Sequence, residues 1–210
     1  MPSNQFLNLE AEKQKRIIQV AIEEFAQNAY NNSSTNRIVK ECGISKGSLF
    51  KYFEDKEDLY FFILDTVIGE MVRDIENEIG NLSTEPFQRI IDYSILEISW
   101  YIKNPNKGHL VISATLESDE KIRNKLIERY GIRRKSIYYG LLKDIQEENL
   151  EVSNTKRLDI IKWVLEGFGK EFLEKADIKN ESFVQLKEKY IQTLSGYIEI
   201  LKNGFVERDD

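Results

Sequence analysis

Residues 34–53 read Ser-Thr-Asn-Arg-Ile-Val-Lys-Glu-Cys-Gly-Ile-Ser-Lys-Gly-Ser-Leu-Phe-Lys-Tyr-Phe, and the fold is decided here. The pattern is that of two short helices joined by a tight turn. Ile38 and Val39 give the first helix its apolar side. Gly43 stands where that helix must end, because glycine enters the left-handed conformation without a Cβ clash. Ile44 docks under the turn. Ser45 caps the next helix by accepting a free backbone N–H. Leu49 and Phe53 lie four apart and share one face. The other face carries Lys46, Gly47, Ser48, Phe50, Lys51 and Tyr52, so it is cationic, hydroxylic and aromatic.

A helix-turn-helix lays its second helix in the major groove while the first crosses the phosphate backbone. The residues fit that use. Lysines supply charge for phosphate, Ser48 and Tyr52 supply hydrogen bonds, and Gly47 lets the backbone come close. Within the stretch the basic residues are Arg37, Lys40, Lys46 and Lys51, and the one acid is Glu41. The whole chain carries a formal charge of −6, so any DNA affinity has to come from this local patch. The bland alternative is a helical hairpin with a solvated basic face.

The run from Ile38 to Phe53, followed by Lys56, Glu57 and Leu59, resembles the tetracycline-repressor (TetR-type) family of bacterial regulators. Ile17, Ala21, Phe25, Ala26 and Tyr30 match that family's first helix. The resemblance covers about residues 10 to 65. It implies an all-α fold of about nine helices. A three-helix helix-turn-helix head (residues 1–55) would precede a helical ligand-binding and dimerisation bundle (56–210). Phosphate contacts are expected from Ser34, Arg37, Ser45, Lys46, Tyr52 and Lys56, the last resembling the family's phosphate-contacting lysine. Gly47, Ser48, Phe50 and Lys51 would face base edges or the groove. The chain departs from the family at two places: Ala29 replaces the glycine before the aromatic at Tyr30, and Arg37 replaces an acid that often completes a capping box. Asn28 is then expected to take the left-handed cap, and Arg37 to offer a phosphate contact.

Bulk composition agrees with a folded helical protein. Of 210 residues, 41% are hydrophobic and 31% charged, a globular balance. With only three prolines, Pro2, Pro86 and Pro105, the chain suits long uninterrupted helices. The single cysteine, Cys42, excludes an internal disulfide and is read as a small buried residue. No run approaches the roughly 20 apolar residues of a membrane span, and no basic-then-apolar signal pattern opens the chain. A cytoplasmic protein without a membrane association is the expectation.

Taken in order, residues 1–9 are expected to fray and Glu10 to Asn28 to form the first helix. Asp55 caps a long helix from Lys56 to Asn77, with an apolar stripe from Leu59 to Ile75. Pro86 opens a helix to Lys103, since proline suits the first turn. A break around Pro105 precedes a short helix from His109, and Asp119 to Glu148 is long and amphipathic. The last two helices, Thr155 to Lys175 and Ser182 to Lys202, carry apolar stripes suited to a four-helix interface between two copies.

Enzyme chemistry has no support in the residues. There is one histidine, no zinc spacing and no glycine-rich phosphate loop, so neither a cofactor nor a metal is expected. The aromatic content of residues 87–172 suits a pocket between helices, with Tyr93, Trp100, His109, Tyr139 and Trp163 as candidate lining for an apolar or amphipathic effector. Plain core packing is the competing account of each. The function expected is a homodimeric regulator, a repressor of a pseudo-palindromic operator. The rival is a helical small-molecule-binding protein or enzyme without DNA-binding activity.

Overall fold

The computed structural model describes residues 1–84, 86–141, 152–175 and 181–205, with side chains at 86–87, 132–141, 152–158 and scattered later positions left out. Among the described residues the regular elements are helices, with no strand. They are α1 (Asn4–Leu7), α2 (Ala11–Asn32), α3 (Thr35–Cys42), α4 (Lys46–Tyr52), α5 (Lys56–Glu76), α6 (Pro86–Lys103), α7 (Pro105–Thr115), α8 (Glu120–Leu141), α9 (Val152–Lys175) and α10 (Phe183–Phe205). A single 3-10 turn, Ile79–Asn81, follows α5. The all-α expectation holds, with one more helix than the sequence suggested. The expected continuation of α8 past Leu141 lies outside the described residues.

The chain divides into two compact units. One contains Met1–Asp74 and Asn104–Asn124; the other contains Ile75–Lys103 and Lys125–Asp210. The compact unit that holds the helix-turn-helix thus runs beyond residue 55, through most of α5, and takes in α7. Within it α2 packs on α3 and α7, and α1 and α3 both pack on α4. Its core is built from Ile17, Ala21 and Phe25 of α2, Ile38 of α3, Leu49 of α4 and the Leu59–Val67 stripe of α5, all buried. Those positions recur at helical spacing, so each helix turns one side inward. Lys107 of α7 and Glu70 of α5 add an ion pair across that core's edge.

In the second unit α10 packs on both α6 and α9. Ile90, Ile98 and Trp100 of α6, Leu165 and Phe168 of α9, and Leu186, Leu194 and Ile198 of α10 are buried. The Phe168 ring lies 4.9 Å from that of Tyr190 and 5.6 Å from that of Tyr197. Such tilted rings add directional attraction to area burial.

Three local expectations are corrected. Residues 1–9 do not fray. Ser3 caps α1, its hydroxyl accepting from the Phe6 N–H, and Phe6 is only 1% exposed. The Phe6 ring sits 4.9 Å from Phe53 and 5.4 Å from Phe62. Pro105 is no break: it is the first residue of α7, where its missing N–H has no helical partner to lose. The turn before Tyr30 uses Ala29 and not Asn28. Ala29 has φ 51° and ψ −178°, and the helix kinks there. Asn28 remains helical, its side-chain amide donating to the Glu24 carbonyl at 3.1 Å.

Two stability predictions follow from these corrections. Phe6→Ala should destabilise the protein by about 3–5 kcal/mol, the cost of removing a buried ring; a frayed terminus would show no change in a denaturant titration. Ala29→Gly should raise stability by about 1 kcal/mol, or ~2–4 °C in melting temperature. Strain of order 1–3 kcal/mol is relieved, and roughly 0.4–1 kcal/mol is returned to the more flexible unfolded chain. A melting curve by circular dichroism checks it.

Candidate nucleic-acid interface

The second helix of the motif, α4, is held at both ends by backbone chemistry. At its start, Gly43 adopts φ 66° and ψ 30°. The Gly43 N–H donates to Lys40 O at 3.2 Å, and the Ile44 N–H to Val39 O at 3.0 Å. That pair of bonds closes α3 as a Schellman turn. Arg16 adds a third bond to the end of α3, donating to Glu41 O at 3.0 Å. Ser45 then caps α4 as its sequence position implies, its Oγ accepting from the Ser48 N–H at 3.0 Å. At the far end, Ser3 donates from its backbone N–H to Tyr52 O at 2.9 Å and from its hydroxyl to Lys51 O at 2.7 Å. Two of the carbonyls that a helix end leaves open are thereby matched. No sequence signal was read for this; the Ser3 cap three residues ahead of Phe6 was the available one.

Between those anchors the outer face is open. Lys46, Gly47, Phe50 and Lys51 are exposed, as is Lys40 on α3. Phe50 is 40% exposed, and the Lys46 ammonium lies 5.9 Å from its ring centroid. Leu49 and Phe53 turn inward as expected. Ser48 is half-buried, and its hydroxyl lies 2.8 Å from that of Ser45. Tyr52 differs from the expectation of an outward face. It is buried, with its ring 6.1 Å from that of Phe6, because α1 supplies an apolar surface there.

Three other expected phosphate contacts have partners within the chain. Ser34 is the N-cap residue of α3 but makes no side-chain cap bond; its N–H donates to Glu24 Oε1 at 2.7 Å. Arg37 pairs with Glu24, its Nε lying 3.0 and 2.9 Å from the two carboxylate oxygens. Lys56 donates to Tyr30 O at 2.9 Å, and its ammonium sits 4.3 Å from the Tyr30 ring centroid. The Tyr30 phenol is pushed up to about 12 by burial first, and then by the carboxylates of Glu57, Asp55, Asp119 and Glu117. It stays neutral at ordinary pH. Glu24 of α2 is itself buried.

The candidate pocket residues are distributed over both compact units. Tyr93 and Trp100 are buried on α6, seven apart and therefore on one face. His109 is half-buried on α7, in the other compact unit. Trp163 stands 64% exposed on α9, and the Tyr139 side chain lies outside the described residues. Among the described residues no three His, Cys, Asp or Glu side chains are grouped to hold a metal. No described helix is long and apolar enough to cross a membrane. Cys42 is half-buried, and burial raises its thiol above the ordinary range.

Gly47 provides a clean test of the interface. A Cβ built there meets only Ser45 Oγ, at an ordinary 3.8 Å, so the free protein has room for alanine. Alanine also favours the helix by up to about 1 kcal/mol. Gly47→Ala should leave melting unchanged or raised while weakening binding to a duplex selected by the unaltered chain. Full retention of affinity would remove Gly47 from the DNA surface.

Residues 17–61 match the model of the family described as bacterial regulatory proteins, tetR family. An HTH-type transcriptional regulator of Bacillus subtilis, YerO, is 27% identical over 137 residues, covering 57% of this chain and 47% of that protein. The fatty acid metabolism regulator protein of Bacillus subtilis is 32% identical over 77 residues, 34% of this chain and 40% of that protein. The matches thus span less than half the length of these curated relatives. Among solved structures, a TetR family transcriptional regulator from Chloroflexus aurantiacus superposes with TM-score 0.66 at 22% identity, over 99% of this chain and 100% of that one. The FadR regulator of Bacillus subtilis, solved in complex with stearoyl-CoA, gives TM-score 0.68 at 20% identity, over 86% and 96%. These structural likenesses speak for the fold, and the family match falls on α2, α3, α4 and the start of α5. Residues 17–61 are thus similar to the segment that defines the tetR family of bacterial regulatory proteins, on a fold shared with solved TetR family regulators.

Proposed function

We propose that this regulator is a repressor that holds a pseudo-palindromic operator as a homodimer and releases it when an amphipathic small molecule binds its C-terminal part. The observation that carries the DNA half is the open face of α4, where Lys46, Gly47, Phe50 and Lys51 project between two capped ends. In this reading residues 1–55 form the DNA head and 56–210 the ligand-binding and dimerisation body. Lys46 and Ser45 meet phosphates, and Gly47, Ser48, Phe50 and Lys51 face base edges or the groove. Lys56 reaches phosphate only by leaving the carbonyls of Tyr30 and Ser33.

The proposed dimer uses α9 and α10. Their buried sides face each other, yet each leaves large apolar side chains outside: Ile160 and Trp163 on α9, and Val184, Tyr197 and Ile200 on α10, the last 68% exposed. A second copy related by a two-fold axis covers such stripes and sets two reading helices about 34–36 Å apart, one turn of DNA.

The effector proposal is motivated by the relatives, one a fatty acid metabolism regulator and one solved with stearoyl-CoA. A long-chain acyl-CoA is therefore the first effector to test. It acts only through its differential affinity for the two body shapes. The opposition between DNA and ligand is then reciprocal and on the order of 1–3 kcal/mol.

One experiment tests the reading. The purified chain is used to select duplexes from fragmented genomic DNA, and affinity is followed against salt and against stearoyl-CoA. The expected result is a two-fold symmetric site bound by two chains. Affinity should fall steeply with salt as phosphate contacts release counterions, and saturating acyl-CoA should lower it by roughly 5–150-fold. Lys46→Glu should weaken binding at least tenfold. Selection of no duplex, or a salt-independent complex, would refute the DNA reading; indifference to acyl-CoA would refute the effector.

A further inference from the structure

A capping box normally closes within one helix. The N-cap hydroxyl holds the N–H three residues on, and an acid at that third position reaches back to the N-cap N–H. In α3 neither half is present: Ser34 makes no side-chain cap bond, and Arg37 stands at the acid's position. The N-cap N–H is held nonetheless, by Glu24 Oε1 at 2.7 Å, so the carboxylate comes from α2. Arg37 grips the same carboxylate through Nε and Nη2. Its Nη2 also donates to Asn32 O at 2.8 Å. Glu24 is 8% exposed, whereas the Arg37 side chain is 51% exposed.

We propose that Glu24 is a positioning residue for DNA binding, and that Arg37 serves as its counter-ion and not as a phosphate contact. The inference rests on the DNA-binding reading above. Glu24 acts through the backbone: it fixes the first N–H of α3 to α2, and α3 carries α4 across the rigid Gly43 turn. A negative charge at a helix start is also favourable against the helix dipole. Arg37 is required because a buried carboxylate without a partner is costly. Its Nε and Nη2 N–H groups are directed back into the chain, so its charge is already matched by Glu24. A matched cation displaces few counterions from DNA and adds little to the salt dependence. The basic surface offered to DNA then consists of Lys40, Lys46 and Lys51.

The test uses a duplex selected by the unaltered chain and measures affinity between about 50 and 200 mM salt. The variants are Glu24→Gln, Arg37→Gln, the double variant, and Lys46→Ala as the reference for a lost phosphate contact. Lys46→Ala is expected to reduce the slope of log affinity against log salt by about one. Arg37→Gln should weaken binding about tenfold with the slope unchanged. Glu24→Gln should also weaken binding about tenfold, although removing a negative charge near DNA tightens binding on electrostatic grounds alone. The double variant, a neutral amide pair that retains hydrogen bonding, should recover most of the loss, and it carries the comparison if a single variant unfolds. A slope reduced by about one in Arg37→Gln, tighter binding by Glu24→Gln, or a folded double variant no better than the singles overturns the assignment. Failure of the unaltered chain to select any duplex overturns the DNA reading and this assignment together. Failure of the assignment alone leaves the unaltered chain bound.

Discussion

A carboxylate withdrawn from water has to be matched, and Glu24 is matched by the very segment that must be held in place. Its oxygens take the N–H that opens α3 and the guanidinium one turn later. Desolvation of the Glu24 carboxylate makes that arrangement directional, because a carboxylate out of water has no equivalent alternative partner. The bond runs between α2 and α3, so it fixes an angle between helices that apolar packing alone leaves looser. Everything downstream inherits that angle, since only Gly43, Ile44 and Ser45 separate α3 from α4.

The short helix α4 follows the same logic. Seven residues are too few for an isolated helix to persist in water. α4 persists because its backbone ends are satisfied, by Ser45 at the start and by Ser3 at the finish, and because Leu49 and Phe53 are buried. Its outer side chains are thus released from structural duty. A surface of lysine, glycine and exposed phenylalanine contributes little to folding, and its composition is free to serve recognition. The strained Ala29 lies at the kink near the end of α2, just ahead of α3. That strain persists because the surroundings over-determine the turn: Lys56 grips Tyr30 O, and the Ser33 hydroxyl donates to the same carbonyl at 2.6 Å.

The second unit obeys a looser rule. Its helices are amphipathic, and α10 buries a continuous stripe against α6 and α9 while presenting Val184, Tyr197 and Ile200 outward. Any hydrophobic set of suitable size supports such packing, which explains why sequence likeness concentrates at residues 17–61 while solved structures of about 20% identity superpose over nearly the whole chain.

The sequence by itself determined the elements. Helical spacing, Gly43 after Cys42, Ser45 ahead of Lys46 and Pro86 at a helix start are local signals. Each acts within one or two turns of backbone, so each was legible without a fold. The exposed Lys46, Gly47, Phe50 and Lys51 were legible for the same reason. What the tertiary structure decided were the choices between equally local alternatives. Tyr52 turned inward because α1 lay there to receive it, and Phe6 was buried because Phe53 and Phe62 formed a site for it. Arg37 and Lys56 found partners twenty-six or fewer residues away in sequence, on other helices. Burial and ion pairing depend on which surfaces meet, and that is a property of the packed chain that no single segment carries.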